Sequence, residues 1–316
     1  MRQLCALCLS LGLVASLTVP EAVEQIQRGL LTEETRLDGT PTVAVRAVTA
    51  SSMQKTTWDP PKHLLTPLKT VWDSYTWEKK YTNWAFQQIY ANEGRLSFCV
   101  KWDSSKKITR NERSTLNKEL AIQIQKWIDV LAGYDGWKYP KVRVRIKAWA
   151  AKEKANLVGL DAEAEKFTYH GSSCDKACYR YEHKDGHYTQ CPEKKKGHFD
   201  MILNLRDNLH GGGSGQDFGQ TLGSSDILKE LKSTDPDRMH IFLHEMGHSF
   251  GLDDFYNPEN TNNKRKPDRS GSQSRFLMKA GSAVFITEYD AWMMRNMWSC
   301  NGGPQLRNIP VPTYCT

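Results

Sequence analysis

Apolar and polar positions along this chain fall into blocks with different periods. Gly94–Trp102 (GRLSFCVKW) and Val142–Trp149 (VRVRIKAW) carry apolar residues at about every second position, the period of a half-buried strand. Between them, Leu116, Leu120, Ile124, Trp127, Ile128 and Leu131 recur at helical spacing and predict a helix over Asn111–Leu131. The order is therefore strand, helix, strand. Phe199–Leu205 (FDMILNL) reads as a further strand. Met239, Phe242, Leu243, Met246 and Phe250 fit a buried helix, for which Asp235 before Pro236 is the expected cap. Gly211–Gly223 (GGGSGQDFGQTLG) lacks the residue order of a phosphate-binding loop and reads as a flexible surface loop.

Composition narrows the class. Charged residues at 25% and ten Trp exclude a fully disordered chain, and the mean hydropathy of −0.61 excludes a polytopic membrane protein. The one long apolar run, Leu4–Leu17 after Met1 and Arg2, is too short to span a bilayer and reads as a secretory signal. The expected organisation is a signal peptide over 1–19, a propeptide or N-terminal arm over 20–57, and one domain over 58–316. Loss of Arg2 lowers the formal charge of +7 by one. Removal of Cys5 and Cys8 leaves Cys99, Cys174, Cys178, Cys191, Cys300 and Cys315, which suit three disulfides in an oxidising compartment. Sequence does not choose the pairing. A zinc knuckle of Cys174, Cys178 and Cys191 with His183 or His187 is the rival use of those thiols. Trp58, Trp72, Trp77, Trp84 and Trp102 suit core packing better than a platform for sugars.

The chemistry concentrates in PDRMHIFLHEMGHSFGLDD, residues 236–254. His244 and His248 stand four apart, so both imidazoles project from one helical face and can meet one zinc ion. Glu245 can point at a metal-bound water and take its proton. Gly251 lets the chain leave the helix, and Asp254 returns where a third ligand would come. Three protein ligands leave one position open, the pattern of a catalytic zinc.

HEMGHSFGLDD resembles the extended HExxHxxGxxD signature of the metzincin zinc endopeptidases that use Asp as third ligand, of the snapalysin-like kind. The resemblance implies zinc (Zn2+) held by His244, His248 and Asp254, with Glu245 as general base. It implies a zincin-like α+β fold: a mixed twisted sheet with long helices and the active-site helix in an upper lobe (58–251), and a small irregular lower lobe (252–316). Met278 would supply the Met-turn beneath the zinc, Ile286–Trp298 the terminal helix, and Phe199–Leu205 the substrate-lining edge strand. Ala280 stands where some relatives have Tyr, leaving Tyr256 or Tyr289 to assist. Asp253 competes for the ligand role, and a distant Glu259 or Glu288 would serve in a gluzincin arrangement. The implied function is a secreted, extracellular, monomeric endopeptidase acting on proteins or peptides, with neither nucleic acid nor membrane as partner. The rival class is a secreted glycan- or surface-binding effector on the same frame.

Overall fold

Alternation and helical spacing fold as the sequence predicts in the first half of the domain. The computed structural model describes residues 31–35, 41–45, 56–75, 85–256, 273–308 and 310–315. The expected signal peptide, most of the 20–57 segment, Trp77, Trp84 and Glu259 lie outside them. Two N-terminal strands, β1 (Leu31–Thr35) and β2 (Pro41–Val45), pair antiparallel. Helices α1 (Lys62–Asp73) and α2 (Ala85–Ala91) precede β3 (Arg95–Asp103). Then come α3 (Arg110–Leu131), β4 (Arg143–Ala151), α4 (Ala162–Glu165) and β5 (Thr168–Tyr169). A loop leads to β6 (Met201–Arg206), β7 (Gly213–Gln216), β8 (Gly219–Gly223) and α5 (Ser224–Glu230). The chain ends with α6 (His240–Ser249), α7 (Glu288–Met297), a π turn (Trp298–Gly302) and α8 (Gly303–Arg307).

The class is α+β. A six-stranded sheet has the order β5-β4-β3-β6-β8-β7 and is parallel except for β7, which runs antiparallel to β8 at the edge. Two expectations change here. Phe199–Leu205 supplies β6, hydrogen-bonded on both sides by β3 and β8, so it is a central strand and not an edge. The glycine-rich segment forms the β7–β8 hairpin, and β7 takes the edge position. Glycine hides this strand from periodicity, because it contributes no apolar side chain to alternate.

Helix α3 starts with a capping box, in which Thr109 accepts from Glu112 N–H and the Glu112 carboxylate accepts from Thr109 N–H. Its apolar stripe is buried, as periodicity predicts. One apolar core runs from Leu64 to Cys315, so 58–251 and 252–316 share it. Trp102, Trp127, Trp149, Trp292 and Trp298 are among its fully buried side chains. Trp58 stacks on Tyr314 at 5.1 Å, and Trp72 is buried, so the described members of the Trp-rich stretch are packing residues. The cysteines pair as Cys99–Cys174, Cys178–Cys191 and Cys300–Cys315. This removes the zinc knuckle, since all three of its thiols are in disulfides. Among the described residues no helix is long and apolar enough to cross a membrane.

Candidate metal centre and cleft

The cleft is built on α6. That helix begins later than its sequence suggests: Met239 precedes it at φ 63° with no side-chain cap. Asp235, the expected cap, instead accepts from Asp237 N–H at 2.8 Å and closes its own turn. The Glu230 carboxylate fixes the start from afar by accepting from Met239 N–H at 3.0 Å. Phe242, Leu243, Met246 and Phe250 are buried, and the Trp127 indole of α3 donates to the Leu243 carbonyl at 2.9 Å. The other stripe, His240, His244 and His248, lines a cleft of about 850 Å³.

Each motif histidine is oriented by a backbone carbonyl. His244 Nδ1 lies 2.8 Å from Leu277 O, and His248 Nδ1 lies 2.8 Å from Leu252 O. A carbonyl only accepts, so each Nδ1 carries a proton and each ring turns its Nε2 into the cleft. Gly251, at φ +91°, makes the reversal that brings Leu252 and Asp254 back toward the helix. Asp254 Oδ1 then stands 2.9 Å from His244 Nε2 and 3.2 Å from His248 Nε2. Three electron-pair donors converge, which is stable only with protons or a cation between them. Ligand atoms at ~2.0–2.1 Å from one tetrahedral ion lie roughly 3.3 Å apart. The observed spacings are close to that value.

Ligand atoms of His244, Glu245 and His248 also lie within 4.8 Å of one another, a group that can hold a metal ion. Within it the Glu245 carboxylate is the more distant, at 3.7 Å from His248 Nε2, whereas Asp254 approaches both imidazoles more closely. The tighter donor set is therefore His244, His248 and Asp254, with Glu245 beside it. Burial pushes Glu245 up, against the opposing pull of the two histidines. Burial acts in the same sense on Asp254, but hydrogen bonds from His244 and His248 outweigh it and hold the carboxyl well below the usual range. Burial lowers His244, and its bond to Asp254 with the neighbouring carboxylate charges reverses that to a net rise.

Tyr256 donates to Asp254 Oδ2 at 2.9 Å and so leaves Oδ1 for the histidine side. Tyr289 packs on Phe276 in the core and does not line the cleft, and neither does Glu288. Asp253 lines the cleft beside Asp254.

Met278 was expected beneath the site, and two supports around it, Asp290 and the glycines of β7, escaped the sequence reading. Met278 is fully buried, and a Cβ on Gly247 would stand 2.4 Å from its sulfur, so the thioether packs against α6 between the two histidines. Asp290 holds that turn by accepting from Leu277 N–H at 2.8 Å and Met278 N–H at 3.0 Å while it caps α7 with Thr287. The spacing Thr287–Asp290 is a visible capping signal, but its reach to residue 277 is not. On the opposite flank, a Cβ on Gly213 would stand 2.7 Å from Glu245 Oε1, and one on Gly215 2.2 Å from the Glu245 carbonyl. The glycines let the edge strand lie directly on the motif helix. Comparison of the chain with protein-family models, curated proteins and solved structures returns no match.

Proposed function

We propose that the protein is a secreted zinc-dependent endopeptidase of metzincin-like design, with His244, His248 and Asp254 as metal ligands and Glu245 as general base. The observation that carries this reading is the convergence of two Nε2 atoms on one carboxylate oxygen, with both Nδ1 protons already committed to carbonyls. Mixed nitrogen and oxygen donors suit zinc. Zinc, when bound, acidifies a coordinated water and polarises a substrate carbonyl. Glu245 takes the proton of the attacking water and passes it to the leaving amine, a task favoured by the burial that raises its proton affinity. The outer edge of β7 offers backbone N–H and C=O groups to an extended peptide laid along the cleft. Tyr256 keeps Asp254 pointed at the metal through its second oxygen. The N-terminal apolar run and the three disulfides support secretion.

The test is chelator-sensitive cleavage of casein by the secreted chain, with zinc counted by mass spectrometry. Glu245→Gln is expected to retain zinc and to lose turnover by roughly 10²–10⁴-fold. Asp254→Ala loses zinc and Asp253→Ala keeps it. A zinc-loaded wild type that cleaves nothing would sink the peptidase reading, and zinc retained by Asp254→Ala would move the third ligand.

A further inference from the structure

The six-stranded sheet has a second face, and it is covered unevenly. On β4, Val144 and Ile146 enter the main core, so Arg143 and Arg145 point to the other side, where Lys147, skipped by the register with β3, joins them. Toward the C-terminal ends of β3 and β4 that side is closed by the disulfide-tied loop, which packs Cys174, Cys178, Tyr188 and Cys191 over Cys99, Ala148 and Ala150. Toward the N-terminal ends it is open. There Arg95, Arg143, Arg145, Lys147, Lys195 and Lys196 line a groove of about 700 Å³.

The charge in this groove is not balanced from within. Arg95 and Arg143 are register partners on neighbouring strands, with Arg145 opposite Ser97. Like charges on adjacent strands repel, so the fold bears a cost here. Arg95 reaches Glu93 at 3.7 Å, an exposed pair of little worth. Asp200, held under the floor by Ser97 N–H, the Ser97 hydroxyl and the Asn92 amide, offsets part of the charge of Lys147 together with Glu193, and leaves the groove's cations in excess. Lys147 donates to the carbonyls of Lys196 at 2.7 Å and His198 at 3.1 Å, which fixes the loop lysines beside the strand arginines. Among the described residues, Arg143, Arg145, Lys195 and Lys196 have no carboxylate within 4.0 Å.

We propose that this groove binds a linear sulfated polysaccharide. Alternate residues on a strand are ~7 Å apart, so Arg143 and Arg145 start a cationic row that Lys147 extends at the irregularity, and Lys195 and Lys196 flank it. Guanidinium forks match the oxygen pairs of sulfate and carboxylate groups. The site is concave, which suits a chain laid along it better than a flat lipid surface. No Phe, Tyr or Trp lines it, and the His198 ring is stacked on Tyr188, so bases find no stacking platform. The groove is separate from the motif cleft, and the inference stands whether or not the cleft hydrolyses peptides.

The experiment is calorimetric titration of the full chain with a heparin decasaccharide at physiological ionic strength. Arg143→Glu with Arg145→Glu is expected to weaken binding at least about tenfold. Lys106→Glu with Lys107→Glu, an equal charge change in an exposed turn elsewhere, is expected to weaken it by less than about threefold. Arg143→Gln with Arg145→Gln gives a milder loss in the same direction and guards against misfolding, checked by thermal melting. Binding that survives chelation, and fails with desulfated heparin, supports the proposal. Equal losses in the two charge-reversal pairs would overturn it, as would undiminished binding in Arg143→Glu/Arg145→Glu. Tighter binding of oligothymidylate or of anionic vesicles than of heparin would reassign the groove to nucleic acid or lipid and overturn it as well.

Discussion

Two turns of this molecule are each held by one aspartate with four donors, and they differ in almost everything else. Asp290 accepts from Leu277 N–H, Met278 N–H, Thr287 N–H and the Thr287 hydroxyl beneath the cleft. Asp207, at the end of β6, accepts from the Ser104 hydroxyl, Ser105 N–H, the Ser105 hydroxyl and the Ser224 hydroxyl. Asp290 is 0% exposed, whereas Asp207 keeps contact with water. Burial outweighs the hydrogen bonds of Asp290 and pushes its carboxyl up. The Ser104 hydroxyl, with Ser105 and Ser224, outweighs burial at Asp207 and holds it well below the usual range. An equal number of bonds therefore has opposite electrostatic consequences. Solvent access decides whether a carboxylate is a scaffold or a lash.

The strongest way to break the comparison is Asp290→Ala. It removes the N3 half of the Thr287 capping box and leaves Leu277 and Met278 N–H buried without this acceptor, at about 3–5 kcal/mol in all. Leu277 O orients His244, so zinc affinity is expected to fall with stability. Urea unfolding and metal content measure the two effects. A loss below about 1 kcal/mol would show that the turn is held by packing of Met278 alone. Asp290→Asn is the gentler form. It keeps the shape and turns one acceptor into a donor facing N–H groups, for about 1–3 kcal/mol. As an acid whose folded pKa is raised, Asp290 contributes most below the ordinary Asp value, about 3.9, and loses that contribution as pH rises through its folded value. The stability gap between wild type and Asp290→Asn should widen on acidification.

How much of this was legible depends on which atoms carried the information. β3, α3 and β4 were readable because apolar side chains mark their periods, as Leu116, Leu120 and Ile124 do. The residues His244, Glu245, His248 and Asp254 were readable because a single helix and one glycine turn bring them together. The edge strand was not, since Gly213 and Gly215 act by lacking side chains against Glu245. The start of α6 was misplaced because Glu230, and not a local cap, holds Met239. The disulfide pairing and the second role of Asp290 depend on contacts between segments far apart in sequence. The alternation VRVRIKAW marked a half-buried strand, but the basic groove on its open face also takes Lys195 and Lys196, which the fold brings beside it.

The smallest expected effect sharpens the comparison most. Asp207→Asn leaves a neutral acceptor for some of the same serine donors in a site open to water, so the loss near neutral pH should be about 1 kcal/mol or less. Its pH dependence has the opposite sign to that of Asp290. A carboxyl with a lowered folded pKa contributes fully above the ordinary Asp value, and that contribution is lost as pH falls through the folded value. The gap between wild type and Asp207→Asn should therefore narrow on acidification, while the Asp290→Asn gap widens. Urea midpoints for the three proteins at pH values above and below about 3.9 decide this. If both gaps narrow together, the hydrogen bonds of Asp290 win over its burial, and donor number rather than solvent access sets the character of both turns.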